Sequence, residues 1–445
     1  GLVHAASQAV PGFGTRLTSM QYNGAGQVTR VTLPGGAQQR TSYDDGLTLN
    51  GTGNGLNEWR TRSVSALSGG GKRVAWTSAR AVATLSPNLA RSISGSFVQT
   101  EEFDTLGRLS RQVGGNGQWL RWQYDANGNP TQVEDALGRI TVISYDALNR
   151  RTQVDHPDGG SIRYAYDAAG RLQSVTDPRN LITSFGYNGF GELLTQTSPD
   201  SGATTYTWDS LGRLAVKTLA NGKTISHTWD ALDRLVERSG ASGAVEQFFY
   251  DAATSGFGTG RLVGVADLSG STSWDYNPDG SLKTQVNIVA GVTLTTAWTY
   301  TAQGLPSEIQ YPGGLTVRHG WDSHGRLALM QGRFGSGAWF TLADTPLYQP
   351  ATNALFAWRH GNGLAQRRTY DADGRITGIV AGTAQTSVQH LSFGYASGQH
   401  TIASLSNSVQ PSATASLAYD PNDRLEAVIR SSDAHDYAWD TVGNR

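Results

Sequence analysis

The strongest constraint on this chain is a dipeptide that returns every 21 residues. It consists of an aromatic residue followed by Asp, and one copy has Asn in place of Asp. The regular copies are Phe103-Asp104, Tyr124-Asp125, Tyr145-Asp146, Tyr166-Asp167, Tyr187-Asn188, Trp208-Asp209, Trp229-Asp230 and Tyr250-Asp251, with later copies at Trp321-Asp322 and Tyr370-Asp371. A fixed period of about 20 to 50 residues is typical of repeat proteins, in which each unit buries apolar surface against its neighbours.

A second periodic position predicts that each repeat contains β-strands. The residue two places before the key aromatic is usually aromatic or apolar, and the residue between them is usually small or polar. This second series comprises Trp122, Ile143, Tyr164, Phe185, Tyr206, His227 and Phe248. Residues two apart in a strand share one face of a sheet, so each unit presents an aromatic pair to one side.

Each aromatic-Asp pair is followed by a predicted tight turn. After the Asp come two or three small residues and then Gly or Asn, both of which tolerate the positive φ that such turns require. The Asp can accept hydrogen bonds from the turn amides, and an Arg that follows can pair with it. The turn residues of this pattern include Gly107, Arg108, Gly170, Arg171, Gly212, Arg213, Arg234, Gly325, Arg326, Gly374 and Arg375. A second turn about ten residues later completes a unit of two strands.

Composition excludes several classes of function. The 445 residues include 35 basic and 36 acidic side chains, giving a formal net charge of −1. A nucleic-acid partner is therefore not expected, because binding would need a basic stripe. The sequence contains no run of 18 apolar residues, so no membrane-spanning helix is predicted. The chain contains no Cys, which excludes disulfides and thiolate metal sites.

The repeats divide the sequence into three predicted segments. Residues 1–102 carry irregular repeats with a Gly-rich insertion, 103–330 the regular array, and 331–445 degenerate repeats. We interpret the intervals 44–102 and 328–369 as irregular strands or inserted loops. About 17 units imply on the order of 30 strands, and open sheets rarely exceed about 10 strands without curling. The prediction is an all-β, continuous spiral antiparallel sheet that forms a hollow barrel or cocoon-like shell. The sequence stops within a repeat, so we expect a piece of a longer polypeptide.

Candidate sites are few once the repeat is set aside. The Asp residues occupy the turn position, where one structural role explains every copy. His319 and His324 lie close together, but further metal ligands cannot be placed. We therefore predict no catalytic residues, no metal site and no cofactor. Five Trp residues lie off the main register and are the candidates for exposed contacts with a glycan or a protein: Trp59, Trp76, Trp119, Trp339 and Trp358.

The repeated string resembles the YD repeat of the Rhs family. Two clear copies are Tyr166-Asp167-Ala168-Ala169-Gly170-Arg171-Leu172 and Trp208-Asp209-Ser210-Leu211-Gly212-Arg213-Leu214. Relatives of this family include Tc-toxin subunits and animal teneurins, and the resemblance implies a hollow β-cage. In bacterial members the shell typically encloses a C-terminal toxin, which an aspartyl self-cleavage segment frees. That segment is missing here, since Asp177-Pro178 and Asp420-Pro421 are followed by different residues.

The expected function is a non-catalytic shell segment that encloses a polypeptide payload. The expected partners are that payload or flanking domains of the same chain, a component of a secretion apparatus, and a glycan. The expected location is outside a bacterial cell or on its surface, reached by an unidentified route. Two alternatives stay open: a cell-surface adhesion or recognition protein, and a structural filament of stacked repeat sheets.

Overall fold

The computed structural model describes residues 5–10, 14–22, 28–32, 38–40, 42–44, 48–50, 60–240, 243–349, 352–440 and 442–444. They contain 39 β-strands and one short 3₁₀ helix. Strands β1–β4 form a separate four-stranded sheet, and β5–β39 form one continuous antiparallel ladder.

The strand bounds follow chain order. The first thirteen are β1 Ala5–Val10, β2 Gly14–Tyr22, β3 Val28–Thr32, β4 Gln38–Arg40, β5 Ser42–Asp44, β6 Thr48–Asn50, β7 Arg60–Ala66, β8 Lys72–Ala83, β9 Arg91–Phe103, β10 Leu109–Gly114, β11 Trp119–Tyr124, β12 Pro130–Asp135 and β13 Ile140–Tyr145. The next thirteen are β14 Arg151–Asp155, β15 Ser161–Tyr166, β16 Leu172–Thr176, β17 Ile182–Tyr187, β18 Leu193–Ser198, β19 Gly202–Trp208, β20 Leu214–Thr218, β21 Thr224–Trp229, β22 Leu235–Gly240, β23 Val245–Asp251, β24 Gly258–Asp267, β25 Gly270–Tyr276 and β26 Leu282–Val289. The remainder are β27 Val292–Tyr300, β28 Pro306–Gln310, β29 Leu315–Trp321, β30 Leu327–Phe334, β31 Phe340–Tyr348, β32 Leu355–His360, β33 Ala365–Tyr370, β34 Ile376–Gly382, β35 Ser387–Tyr395, β36 Ile402–Asn407, helix Pro411–Ala413, β37 Ala415–Tyr419, β38 Leu425–Arg430 and β39 Ala434–Asp436.

Each repeat is a hairpin whose turn begins at the aromatic-Asp pair. In the unit around Tyr145, the ladder pairs Ser144 with Gln153 and then shifts register so that Tyr145 pairs with Arg151. The shift accompanies a left-handed residue in the turn, Asn149, with φ of 61°. The predicted hairpins are therefore present. The "first-turn edge" below is the edge of the sheet formed by these turns, and the "second-turn edge" is the opposite one.

The two faces of the sheet differ as the alternation predicts. In β15, Tyr164 and Tyr166 are half-buried on one face, whereas Arg163 and Ala165 are exposed on the other. We call the face that carries the aromatic pairs the ring face.

The ladder winds into a spiral. The described strand pairings include none between β5 and β39; instead, later strands pass alongside earlier ones. Ala81 in β8 lies beside Gln349, the residue directly after β31, and Asp158 in the β14–β15 turn lies beside Asn422 in the β37–β38 turn. Both contacts join positions 23 strands apart. The predicted spiral sheet is confirmed, and a spiral shell describes it better than a closed barrel.

The dimensions of one winding leave room inside. Strands lie about 4.8 Å apart, so 23 strands span about 110 Å, and a round winding is about 35 Å across. Side chains fill only about 10 Å between packed sheets. Thirteen hydrophobic side chains are buried among the described residues, far too few for two sheets packed face to face. The accessible surface is 24094 Å² for a 47.5 kDa chain, whereas a compact monomer exposes about 16,000 Å².

The intervals interpreted as irregular strands or loops contain long strands where the structure describes them. Strands β8 and β9 form an extended hairpin of 12 and 13 residues. Strands β30 to β33 continue the ladder through 327–370 without interruption. The strand ladder runs across residues 102 and 330, and the division into three segments at these positions stays a prediction.

Candidate functional site

The Asp of each repeat organises its own turn. One carboxylate oxygen of Asp146 accepts hydrogen bonds from the amides of Leu148 and Arg150, each at 2.9 Å, and the other accepts from Nε of Arg150 at 2.7 Å. These bonds favour the charged carboxylate and lower the pKa of Asp146. The same three bonds recur at Asp104, Asp135, Asp167, Asp209, Asp230, Asp322, Asp371 and Asp420.

In several first turns the Arg also reaches the following repeat. Nη1 of Arg108 donates to the carbonyl of Asp125 at 3.1 Å, and its guanidinium lies 4.7 Å from the ring centre of Tyr124. Arg171 does the same to Asn188 and Tyr187. One side chain therefore closes its own turn and fixes the position of the next one.

The key aromatic residue completes the connection in the opposite direction. The hydroxyl of Tyr124 donates to the carbonyl of Leu109 in the preceding hairpin at 2.7 Å, and Nε1 of Trp208 donates equivalently to Leu193 at 2.8 Å. The same bond is made by Tyr145, Tyr166, Tyr187, Trp229, Tyr250, Tyr276, Tyr300, Trp321, Tyr348, Tyr395, Tyr419 and Trp439.

This donor requirement was missed in the sequence analysis, although a signal for it was present. After Phe103, every key aromatic is Tyr or Trp, both of which carry a hydrogen-bond donor, and none is Phe. Packing alone would accept Phe as readily. Tyr348, which lies within the predicted degenerate repeats of 331–445, makes the same bond, and the Arg326 guanidinium lies 4.7 Å from its ring centre.

The two edges of successive windings meet at a seam. Here described residues between 348 and 424 lie along residues 80–158, and many of the contacts are polar. The Gln349 side chain is 1% exposed and bonds to both the amide and the carbonyl of Ala81 at 2.7 Å. Arg139 pairs with Asp423 through two bonds of 2.8 and 2.9 Å.

A small hydrophobic core lies at the same seam. Phe356 and Ala357 are fully buried against Ala81 and Ala83 from the earlier winding. An open cavity of about 420 Å³ lies beside it, lined by residues that include Trp76, Trp119 and Asp373. The seam thus contains the most deeply buried side chains of the described chain.

The off-register Trp residues are half-buried rather than exposed where the structure describes them. The guanidinium groups of Arg318 and Arg333 lie 3.8 and 4.5 Å from the ring centre of Trp339. Arg368 lies over Trp358, and Arg111 and Arg121 lie over Trp119. Trp76 lines the seam cavity. Trp59 lies outside the described residues, and the contact role of all five Trp residues stays a prediction.

The histidines of the ring face are packed into the wall. His319 stacks on Trp321 with ring centres 6.1 Å apart, and burial lowers the pKa of His319 and of His227. Among the described residues, no group of three or more His, Asp or Glu is placed to hold a metal ion. No helix in the described part of the chain is long and apolar enough to cross a membrane.

A protein-family model and several solved structures match this chain. Residues 94–255 match the family model described as the teneurin YD-shell, so the resemblance to YD-repeat proteins is confirmed. No curated protein matches the chain.

Two solved structures share the fold. A crystal structure of TcdB2-TccC3-TEV aligns with a TM-score of 0.61 at 13% identity, and a Tc holotoxin pore from Photorhabdus luminescens aligns with 0.60 at 13% identity. Each alignment covers 93% of this chain and 31% of the other. The chain therefore spans about a third of the length of the structures that it matches.

Proposed function

We propose that this chain is a non-catalytic wall segment of a hollow β-shell that encloses a polypeptide. One observation carries the proposal: only 13 hydrophobic side chains are buried among the described residues, far fewer than two walls packed face to face would bury, so a winding of about 23 strands leaves space for a guest. The likeness to shells from toxin complexes supports the same interpretation.

Repeat chemistry suits a container. Each hairpin is tied to the next by bonds in both directions, through the Arg of one unit and the Tyr or Trp of the following one. Such a wall needs no interior core, because its stability comes from contacts between neighbouring repeats. A guest can therefore fill or leave the interior without the wall losing its main interactions.

The proposed guest is a polypeptide of the same or a partner chain, and the proposed setting is outside the cell. The Tc holotoxin pore and the teneurin family motivate this setting, since their names denote a toxin assembly and a shell. A glycan role has no comparable support, since Trp119, Trp339 and Trp358 already stack against Arg side chains. A role for a secretion component has no comparable support either.

A protease-protection experiment tests the proposal. An unstructured peptide with several trypsin sites is fused to the C-terminus, and its survival is compared with that of the same peptide inserted at the exposed turn Asp200-Ser201. Enclosure predicts slow cleavage of the terminal fusion, fast cleavage of the insertion, and fast cleavage of both when the seam is opened by Phe356→Ala. Equal cleavage of both peptides in the unmodified wall would refute the proposal. An electron cryo-microscopy map in which the wall's own side chains fill the interior would also refute it.

A further inference from the structure

The cavity at the seam has the size and the lining of a small-molecule site. Its volume is about 420 Å³, and ligand pockets typically measure about 300 to 1,000 Å³. It lies where the second-turn edge of one winding meets the first-turn edge of the next, and its lining includes Trp76, Phe97, Gln118 and Asp373. Both edges at this place belong to the described chain, which therefore forms the cavity by itself.

Gln118 brings a hydrogen-bond acceptor without a donor to this cavity. Its side chain is 4% exposed, and Oε1 is buried and bonded to no other group of the described residues. A buried polar atom without a hydrogen bond destabilises a fold, and native proteins contain few of them. The last torsion of a Gln side chain is soft, so Oε1 can turn towards a bound molecule. The cavity therefore favours a ligand that donates hydrogen bonds.

Asp373 adds a buried negative charge from the opposite winding. Its side chain is 9% exposed, and the carboxylate accepts hydrogen bonds from the amides of Gly115 and Asn116 and from the Asn116 side chain. Among the described residues it forms one ion pair, with Nη2 of Arg375 at 3.9 Å, whereas Nε of Arg375 lies 2.6 Å from Asp371. Buried charges are ordinarily paired, so the favoured donor is a cation.

Two aromatic rings complete the lining. Phe97 lies six residues before Phe103 in β9, and Trp76 pairs with Gln99, so both rings lie on the ring face. The faces of such rings attract organic cations. The repeats hold a guanidinium with the same groups, since Arg108 bonds to Asp104 and lies over the ring of Tyr124.

We propose that the seam cavity binds a guanidinium group between Gln118 and Asp373, against the rings of Trp76 and Phe97. A guanidinium is planar, always charged and carries five donors, so it can bond to the amide oxygen and the carboxylate together. Gly114 keeps these two groups close, because any side chain at this position would overlap both of them. The guanidinium can belong to a free small molecule or to an arginine side chain of a polypeptide. The inference does not rest on enclosure of a guest, which the protease experiment tests separately.

Calorimetric titration with two ligands of equal shape tests the role of charge. Butylguanidinium carries the proposed group, and N-butylurea is its neutral counterpart. Butylguanidinium should bind about 10- to 100-fold more tightly than N-butylurea, because a hydrogen bond to a charged group is the stronger one. Equal affinities, or no binding of butylguanidinium at about 10 mM, would overturn the inference.

Variants of both windings test the location. Asp373→Asn removes the charge and Gln118→Leu removes the acceptor, and each should weaken butylguanidinium binding about 10-fold or more. Asp423→Asn is the matched control, because Asp423 is a carboxylate of the same seam that does not line this cavity. Circular dichroism checks the fold of each variant, and Gln118→Leu leaves the seam bonds of Asp373 in place. Unchanged affinity in folded Gln118→Leu or Asp373→Asn, or an equal loss in Asp423→Asn, would contradict the proposed site.

A blocked peptide, Gly-Gly-Arg-Gly-Gly, distinguishes the two sources of the guanidinium. Binding of this peptide that is lost in Asp373→Asn would assign the cavity to arginine side chains of polypeptides. Binding of butylguanidinium without binding of the peptide would assign it to free small molecules. If neither compound binds, the inference is wrong.

Discussion

The regular array and the seam are built from the same repeat but are stabilised by different interactions. In residues 103–240, each repeat contacts its neighbours through exposed or half-buried polar side chains such as Arg108 and Tyr124. At the seam, residues about 268 positions apart in sequence meet, and Gln349 and Phe356 are almost completely buried. The wall thus consists of many modest local contacts, whereas the closure of a winding depends on a few buried distant ones.

Removal of Phe356 should have the largest effect on stability. Phe356→Ala leaves a cavity in the core between windings, and truncation of a buried Phe typically costs about 3–5 kcal/mol. Phe190→Ala is the matched control, because Phe190 is exposed in the array and its loss should cost less than about 0.5 kcal/mol. Chemical denaturation followed by Trp fluorescence gives both values. Equal effects would show that the seam is no more stabilising than the turns.

Loss of the Gln349 side-chain amide should have the second-largest effect on stability. Gln349→Ala leaves the amide and the carbonyl of Ala81 buried without their side-chain partner, at about 1–3 kcal/mol for each group. Hydrogen exchange at Ala81 should accelerate, while exchange at amides of the array stays unchanged. Gln123→Ala, on the exposed face of β11, is the control and should alter neither. Acceleration throughout the array would mean that seam and wall unfold as one unit.

Single repeat contacts should each contribute little but add up along the array. Tyr124→Phe removes one hydrogen bond and keeps the ring, so about 1 kcal/mol is expected. The triple change at Tyr124, Tyr187 and Tyr250, which lie three repeats apart and make the same bond, should approach about 3 kcal/mol, because distant sites are additive. Tyr311→Phe, in an exposed second turn, serves as the control. If the triple variant is as stable as the unmodified protein, the hydrogen bond does not explain why Phe is absent from the key aromatic position after Phe103.

Acid should weaken the wall in a defined direction. Burial lowers the pKa of His227, and the nearby Arg238 and Lys217 lower it further. A lowered folded-state pKa means that this stabilisation is complete above pH 6.5 and is lost as pH falls through the folded-state pKa. The pKa of a turn carboxylate such as Asp146 is also lowered, so its stabilising contribution is likewise lost as pH falls below its ordinary pKa of 3.8. His227→Phe, which restores the residue type of Phe185 and Phe248, should flatten the decrease in melting temperature between pH 7 and 5. An unchanged slope would assign the effect to other groups.

Much of the local structure was predictable because its causes lie within one period of sequence. The hairpins, the left-handed turn residue and the Asp–Arg pairing depend on residues at most a few positions apart. The spiral was predictable as well, since so many strands cannot remain in one open sheet. The bond from Tyr124 to Leu109 was accessible in principle, because its signal is the restriction of the key position to Tyr and Trp.

The sequence by itself determined the repeat, its strands and turns, and the need for the sheet to curl. Only the tertiary structure decided where one winding meets the next, and so placed Gln349 beside Ala81 and Arg139 beside Asp423. The physical reason is that the number of strands per winding depends on twist and curvature summed over about 23 strands. A small change per strand, invisible in any single repeat, would bring different residues to the seam.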